Sequence, residues 1–154
     1  MQPIPAVPRS VRGRQRRRPI WNGNGAVNAV PAILVIEDDQ EIQAIVEEAL
    51  SEGGFESAIA ASGEEAIALL RSETIRCRAL VTDINLPGRL DGWDIARFAR
   101  EIDPAFPIVY ITGAAADHWP SKGVPNSILL NKPFAPAQVV TAVSQLLNTG
   151  TPQA

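Results

Sequence analysis

A single cysteine in 154 residues, Cys77, excludes a disulfide framework and a zinc site built on thiolates; it reads as a small buried or half-buried thiol. Long apolar runs are missing too, and no stretch approaches the roughly 20 residues that span a bilayer. Arg16, Arg17 and Arg18 lead into Pro19-Ile20-Trp21-Asn22-Gly23, not into the apolar core of an export signal, so a cytoplasmic location is expected and no membrane contact. Histidine occurs once, at His118, and reads as a surface side chain.

Acidic residues are absent from the first 31 positions, where arginine is frequent. Residues 1–31 hold six arginines and no acid, a charge of +6, whereas the remainder carries −9. This asymmetry sets a boundary near Pro31. Rich in proline, glycine and asparagine and poor in large apolar residues, the tail cannot bury enough surface to offset its ordering entropy, so residues 1–31 are expected to be a disordered basic arm. A basic arm can meet nucleic acid or an acidic surface, but Trp21 is its one aromatic where a single-strand binder would interleave several, so nucleic acid is not the expected partner. Residues 32–148, from a chain that is 45% hydrophobic, suffice for one core, and 149–154 are read as a disordered end.

Within that domain, strand and helix signals alternate. The short apolar runs Ile33 to Ile36, Ala79 to Thr82 and Ile128 to Leu130 read as strands buried on both faces. Phe55 to Ala60 and Pro107 to Thr112 supply two more. Ile42, Ile45, Val46, Ala49 and Leu50 share one helical face that Gly53-Gly54 stops. Ser62 and Glu65 form a capping box for a second helix. A third runs from Gly92 to Ile102, before Pro104. Residues 113 to 126 contain Gly113, Pro120, Gly123 and Pro125, so a fourth helix must be short or irregular. Pro136 suits the first position of a last helix bearing Val139, Val140, Val143, Leu146 and Leu147. Five β-α repeats imply an α/β fold: a doubly wound, five-stranded parallel sheet with helices on both faces.

The acids stand where such a sheet binds ligands, just beyond the carboxyl ends of its strands. Glu37, Asp38 and Asp39 follow the first strand, Asp83 ends the third, and Lys132-Pro133 follow the fifth. Like charges about 4 Å apart repel by roughly 4 kcal/mol at an effective dielectric near 20, so a crevice of three carboxylates and one ammonium asks for a cation. Octahedral oxygen coordination with retained waters suits Mg²⁺, with Asp38 and Asp83 as direct ligands and Glu37 direct or through water. Asp39 reads as part of the first helical turn, where an acid complements the dipole.

From about Ala32 to Asn148 this sequence resembles the receiver domains of two-component response regulators. Glu37 and Asp38, Asp83, Thr112 at the end of IVYIT, and Lys132-Pro133-Phe134 occur in the family's order and spacing. The resemblance implies a flavodoxin-like (β/α)5 receiver fold, Asp83 as phosphoacceptor, Lys132 and Thr112 as the groups that read the phosphate, and the backbone carbonyl of Asn85 as a further Mg²⁺ ligand. It implies a sensor histidine kinase or a histidine phosphotransfer protein as donor and a protein target downstream. The protein is then an aspartyl phosphoprotein that catalyses only its own phosphorylation and dephosphorylation.

Three departures stand out. The loop after Asp83, INLPGRLDGW, is one residue longer than the commoner form. Leu129 stands where many receivers carry a rotating Tyr or Phe. AAADHWPSKGVPN replaces a regular fourth helix, as in stand-alone receivers of the FATGUY type. Only Thr149 to Ala154 follow the last helix, so a single-domain regulator is expected. Two other readings stay open: a receiver-like binding module acting without phosphorylation, and a small aspartate-based phosphatase, against which Asn85 stands where haloacid dehalogenase-type enzymes carry a second acid.

Overall fold

The structure is a computed structural model that describes residues 29–149. The basic arm and the end segment therefore lie outside the described residues, apart from their inner edges. In chain order the elements are β1 (Val30–Ile36), α1 (Gln40–Glu52), β2 (Ser57–Ala60), α2 (Gly63–Leu70), β3 (Ile75–Asp83), α3 (Gly92–Ile102), β4 (Ile108–Thr112), a 3-10 turn (Ala116–His118), α4 (Trp119–Lys122), β5 (Ile128–Asn131) and α5 (Pro136–Thr149).

The five strands form one parallel sheet in the order β2-β1-β3-β4-β5. Alternation along the strands supplies its two apolar faces. Leu34, Ile36, Leu80, Ile108 and Tyr110 face α2 and α3 through Ala66, Leu69, Ile95, Ala96 and Ala99. Ile33, Val35, Val81, Val109 and Ile111 face α1 and α5 through Val46, Leu50, Val139 and Val143. The doubly wound fold expected from the sequence is thus present. The chain leaves β1 toward β2 and returns past it to β3, so a crevice opens between the ends of β1 and β3.

Local chemistry shifts several boundaries. β1 begins at Val30, not beyond Pro31, and pairs there with Ile75 and Arg76 of β3. Pro31 is tolerated because β2 joins β1 only from Ile33 onward, so at Pro31 β1 is flanked by β3 alone. β3 likewise starts at Ile75, four residues before the apolar run, because exposed Arg76 and Arg78 break the run without breaking the strand. β2 starts at Ser57, not at Phe55, because the Phe55 N–H is spent on the Leu50 carbonyl that closes α1 (2.8 Å). Thr149, assigned from sequence to the end segment, is the last residue of α5.

The caps follow similar logic. Asp39 precedes α1 as its N-cap, accepting from the N–H groups of Glu41 and Ile42, and so lies one step outside the helix. Ser62 accepts from Glu65 N as expected, but the Glu65 carboxylate takes the N–H of Ala61, leaving the capping box incomplete. A full box, read in both directions, joins Asp91 and Asp94 at the start of α3. Cys77 is half-buried, and burial pushes its thiol up to about 11, so it stays protonated and unreactive at neutral pH. Among the described residues no helix is long and apolar enough to cross a membrane.

The reduced fourth helix is held by side chains. The Trp119 indole N–H donates to Ser127 Oγ (3.0 Å), Ser127 Oγ donates to the Val124 carbonyl (2.7 Å), and Val124 N donates to the buried Tyr110 hydroxyl (3.1 Å). Tyr110 also meets Trp93 at 4.7 Å between ring centres, so one residue of β4 ties the core to the segment after α4. Tyr110→Phe should therefore destabilise the domain by about 1 kcal/mol in urea unfolding, the usual effect of leaving one amide unpaired. Hydrogen exchange at Val124 should accelerate more than at neighbouring amides; unchanged protection there would show that the phenol does not hold this segment.

Candidate functional site

Three strand ends build the crevice. Glu37 N, just past β1, donates to the Ala60 carbonyl (3.0 Å), which keeps Glu37 on the sheet before Asp39 turns the chain into α1. Asp83 closes β3 opposite Ile111, and the following amide, Ile84 N, donates to the Ile111 carbonyl (3.2 Å). Lys132 N, just past β5, donates to the Thr112 carbonyl (2.8 Å). These bonds fix the three backbones before any side chain is placed.

Glu37, Asp38 and Asp83 each bring a carboxylate oxygen within 4.8 Å of the other two. Glu37 is 3% exposed and Asp83 7%, whereas Asp38 faces solvent. The Lys132 ammonium bridges the buried pair at 3.1 Å to Glu37 Oε1 and 3.1 Å to Asp83 Oδ2. Burial, and then the charge of Asp83, lift the Glu37 carboxyl to about 7 against the opposing pull of the Asp39 N–H and Lys132. Burial alone would lower the lysine, but its hydrogen bonds to Asp83 and Glu37 prevail and raise it. Three acids against one ammonium leave the crevice short of two positive charges. That deficit and the all-oxygen donor set fit one hard divalent cation better than a thiophilic metal.

The remaining candidates surround this cluster. Thr112 is fully buried, and its Oγ1 accepts from the N–H groups of Ala114 (3.2 Å) and Ala115 (2.8 Å), so the hydroxyl serves the loop that follows it. Asn85 is exposed, two residues beyond Asp83. Leu129 packs, half-buried, against the α2 and α3 side of the core, and His118 is exposed. Sequence reasoning placed Gly92 only as a helix start and missed its contact. Gly92 N donates to the Ile84 carbonyl (2.9 Å), and a Cβ there would overlap the Asp83 carbonyl oxygen and lie 2.8 Å from Ile84 Cα. Nothing in the sequence signals this contact, which depends on the β3 end brought against the start of α3.

Fold and crevice together define a flavodoxin-like α/β domain with a half-buried lysine among strand-end carboxylates. The chain belongs to the response regulator receiver domain family, which it matches over residues 33–144. Receiver domains are the phosphoacceptors of two-component systems. The chain is 34% identical over 117 residues to the response regulator receiver protein CpdR of Brucella abortus, covering 75% of this chain and 95% of that protein. It spans 37% to 52% of the length of several longer curated relatives. The crystal structure of a response regulator receiver protein from Sinorhizobium medicae is similar at a TM-score of 0.75 and 48% identity, over 80% of this chain and 98% of that one. So is the receiver domain of the Pseudomonas aeruginosa sensor histidine kinase PA1611, determined with a magnesium ion in its active-site cleft: TM-score 0.64, 25% identity, 78% and 98% covered.

Two substitutions test the geometry. Gly92→Ala should cost about 1 to 3 kcal/mol in denaturant unfolding, because backbone and not a movable side chain meets the added methyl group; wild-type stability would mean that α3 shifts freely against β3. Lys132→Met should lose about 2 kcal/mol in metal-free buffer at pH 7, since two buried carboxylates are left without their shared cation. Unaltered stability would show that the lysine does not hold them.

Proposed function

We propose that this chain is a single-domain response regulator that takes a phosphoryl group onto Asp83 in a Mg²⁺-dependent reaction. The observation that carries the reading is the buried Asp83 carboxylate at the end of β3, 3.1 Å from the Lys132 ammonium and within the three-acid cluster. Near-complete coverage of CpdR supports the single-domain arrangement. Asp38 and Asp83 would hold the cation directly, Glu37 directly or through water, and the Asn85 carbonyl would complete the protein donors. Bound there, Mg²⁺ supplies positive charge to the phosphoryl oxygens.

The donor is a phosphohistidine on a sensor kinase or phosphotransfer protein. One Asp83 oxygen attacks phosphorus in line as the P–N bond breaks, and the imidazole nitrogen keeps the electron pair. Lys132 already donates to Asp83 and needs only a small shift to donate to a phosphoryl oxygen. Hydrolysis by water returns the carboxylate and releases inorganic phosphate.

Thr112 reports the change. Its hydroxyl now holds the Ala114 and Ala115 amides, and turning it toward a phosphoryl oxygen would release both, loosening the loop that leads to α4. With Leu129 in place of a rotating aromatic, this hydroxyl and Lys132 carry the switch, and a cytoplasmic protein target reads it. Wild type incubated with Mg²⁺ and acetyl phosphate should gain one phosphoryl group by intact mass, and Asp83→Asn should gain none while keeping its circular dichroism. Undiminished incorporation in Asp83→Asn would move the acceptor elsewhere, and no gain in wild type would leave a binding module that works without phosphate.

A further inference from the structure

Glu37 is held at each of its polar groups. Its N–H goes to Ala60, and its carboxylate receives the Asp39 N–H (3.2 Å) and the Lys132 ammonium (3.1 Å). The third group, its carbonyl oxygen, accepts from Gln43 Nε2 at 2.6 Å. Gln43 is itself anchored, because its N–H donates to the Asp39 carbonyl (2.9 Å) as α1 begins, and Asp39 caps that helix.

The Glu37 carbonyl and the Asp38 N–H belong to one planar peptide. Whatever fixes the oxygen fixes the plane, and the plane sets the direction in which Asp38 leaves the backbone. Asp38 faces solvent, so burial does not orient it as it does Glu37. We infer that Gln43 is a positioning residue for the divalent cation: by clamping the Glu37–Asp38 peptide from α1, it aims the Asp38 carboxylate at Asp83. A neutral amide suits this task, since it donates a hydrogen bond without adding a positive charge that competes with the cation. The inference rests on the reading of the three-acid cluster as a Mg²⁺ site.

Mg²⁺ titration by calorimetry, with urea unfolding in metal-free buffer, tests it. Gln43→Met keeps the side-chain length and removes the donor; it should bind Mg²⁺ about tenfold more weakly, the usual effect of losing a group that orients a ligand. Its metal-free unfolding midpoint should stay near wild type, and phosphoryl uptake at saturating Mg²⁺ should reach the wild-type plateau. Gln43→Glu sets an acceptor against the carbonyl while adding a negative charge nearby. Weaker binding in that variant supports the clamp, whereas tighter binding would show that the position acts through charge alone and would overturn it. Wild-type affinity in Gln43→Met would overturn it as well. Should wild type itself bind no Mg²⁺, the reading of the cluster falls and the inference with it; wild-type binding with unaltered variants would sink the inference alone.

Discussion

Everything in this domain is arranged around one electrostatic conflict: two carboxylates, nearly buried, are held close to each other and to a third. Each pair repels by kilocalories, and burial adds to the cost. The Lys132 ammonium between Glu37 and Asp83 makes the arrangement foldable but leaves it short of positive charge. The raised Glu37 carboxyl expresses the same shortage in protons. A site in this condition is primed for an incoming cation, because positive charge resolves the repulsion that the fold alone leaves in place.

A parallel sheet is well suited to hold such a conflict in place. Its strands end on the same side, so β1, β3 and β5 each deliver a charged residue to one crevice while their apolar stretches stay locked in the core. Hydrogen bonds from Glu37, Ile84 and Lys132 to the neighbouring strands extend the ladder to the charged positions. The backbone therefore bears the repulsion, and the side chains have little freedom to escape it. β4, between β3 and β5, contributes Thr112, whose hydroxyl is tied into the next loop and not into the acid cluster.

How much of this was legible in the sequence follows from where the information lies. The apolar runs of β1 and β3 and the charges at their ends were visible because burial on both faces leaves an unbroken pattern and its interruption is abrupt, whereas β5, expected to be buried on both faces, is an edge strand whose residues Ile128 to Leu130 are only half-buried. Arg76 and Arg78 hid the first half of β3, since a strand paired on one side only no longer needs apolar residues at every position. The start of β2 was misplaced because Phe55 looks like a strand residue, while its amide is committed to the end of α1. Gly92 and Gln43 could not be read as site residues at all. Their importance comes from the partner brought against them, the Asp83 backbone in one case and the Glu37 carbonyl in the other, and composition carries no trace of that.

The bond from Gly92 N to the Ile84 carbonyl also closes the base of the loop from 85 to 91. With the base clasped and α3 seated against β3, extra length must emerge at the tip, where Gly88 adopts a φ of 90°. Lengthening a loop of this size by one residue costs on the order of 0.1 kcal/mol in closure entropy. The additional residue expected in Pro87-Gly88-Arg89-Leu90-Asp91-Gly92 is thus nearly neutral for the Asp83 carboxylate beneath it. Such a clasp separates two evolutionary variables: the rim of the crevice can be lengthened, shortened or recharged, while the Asp83 carboxylate keeps its position.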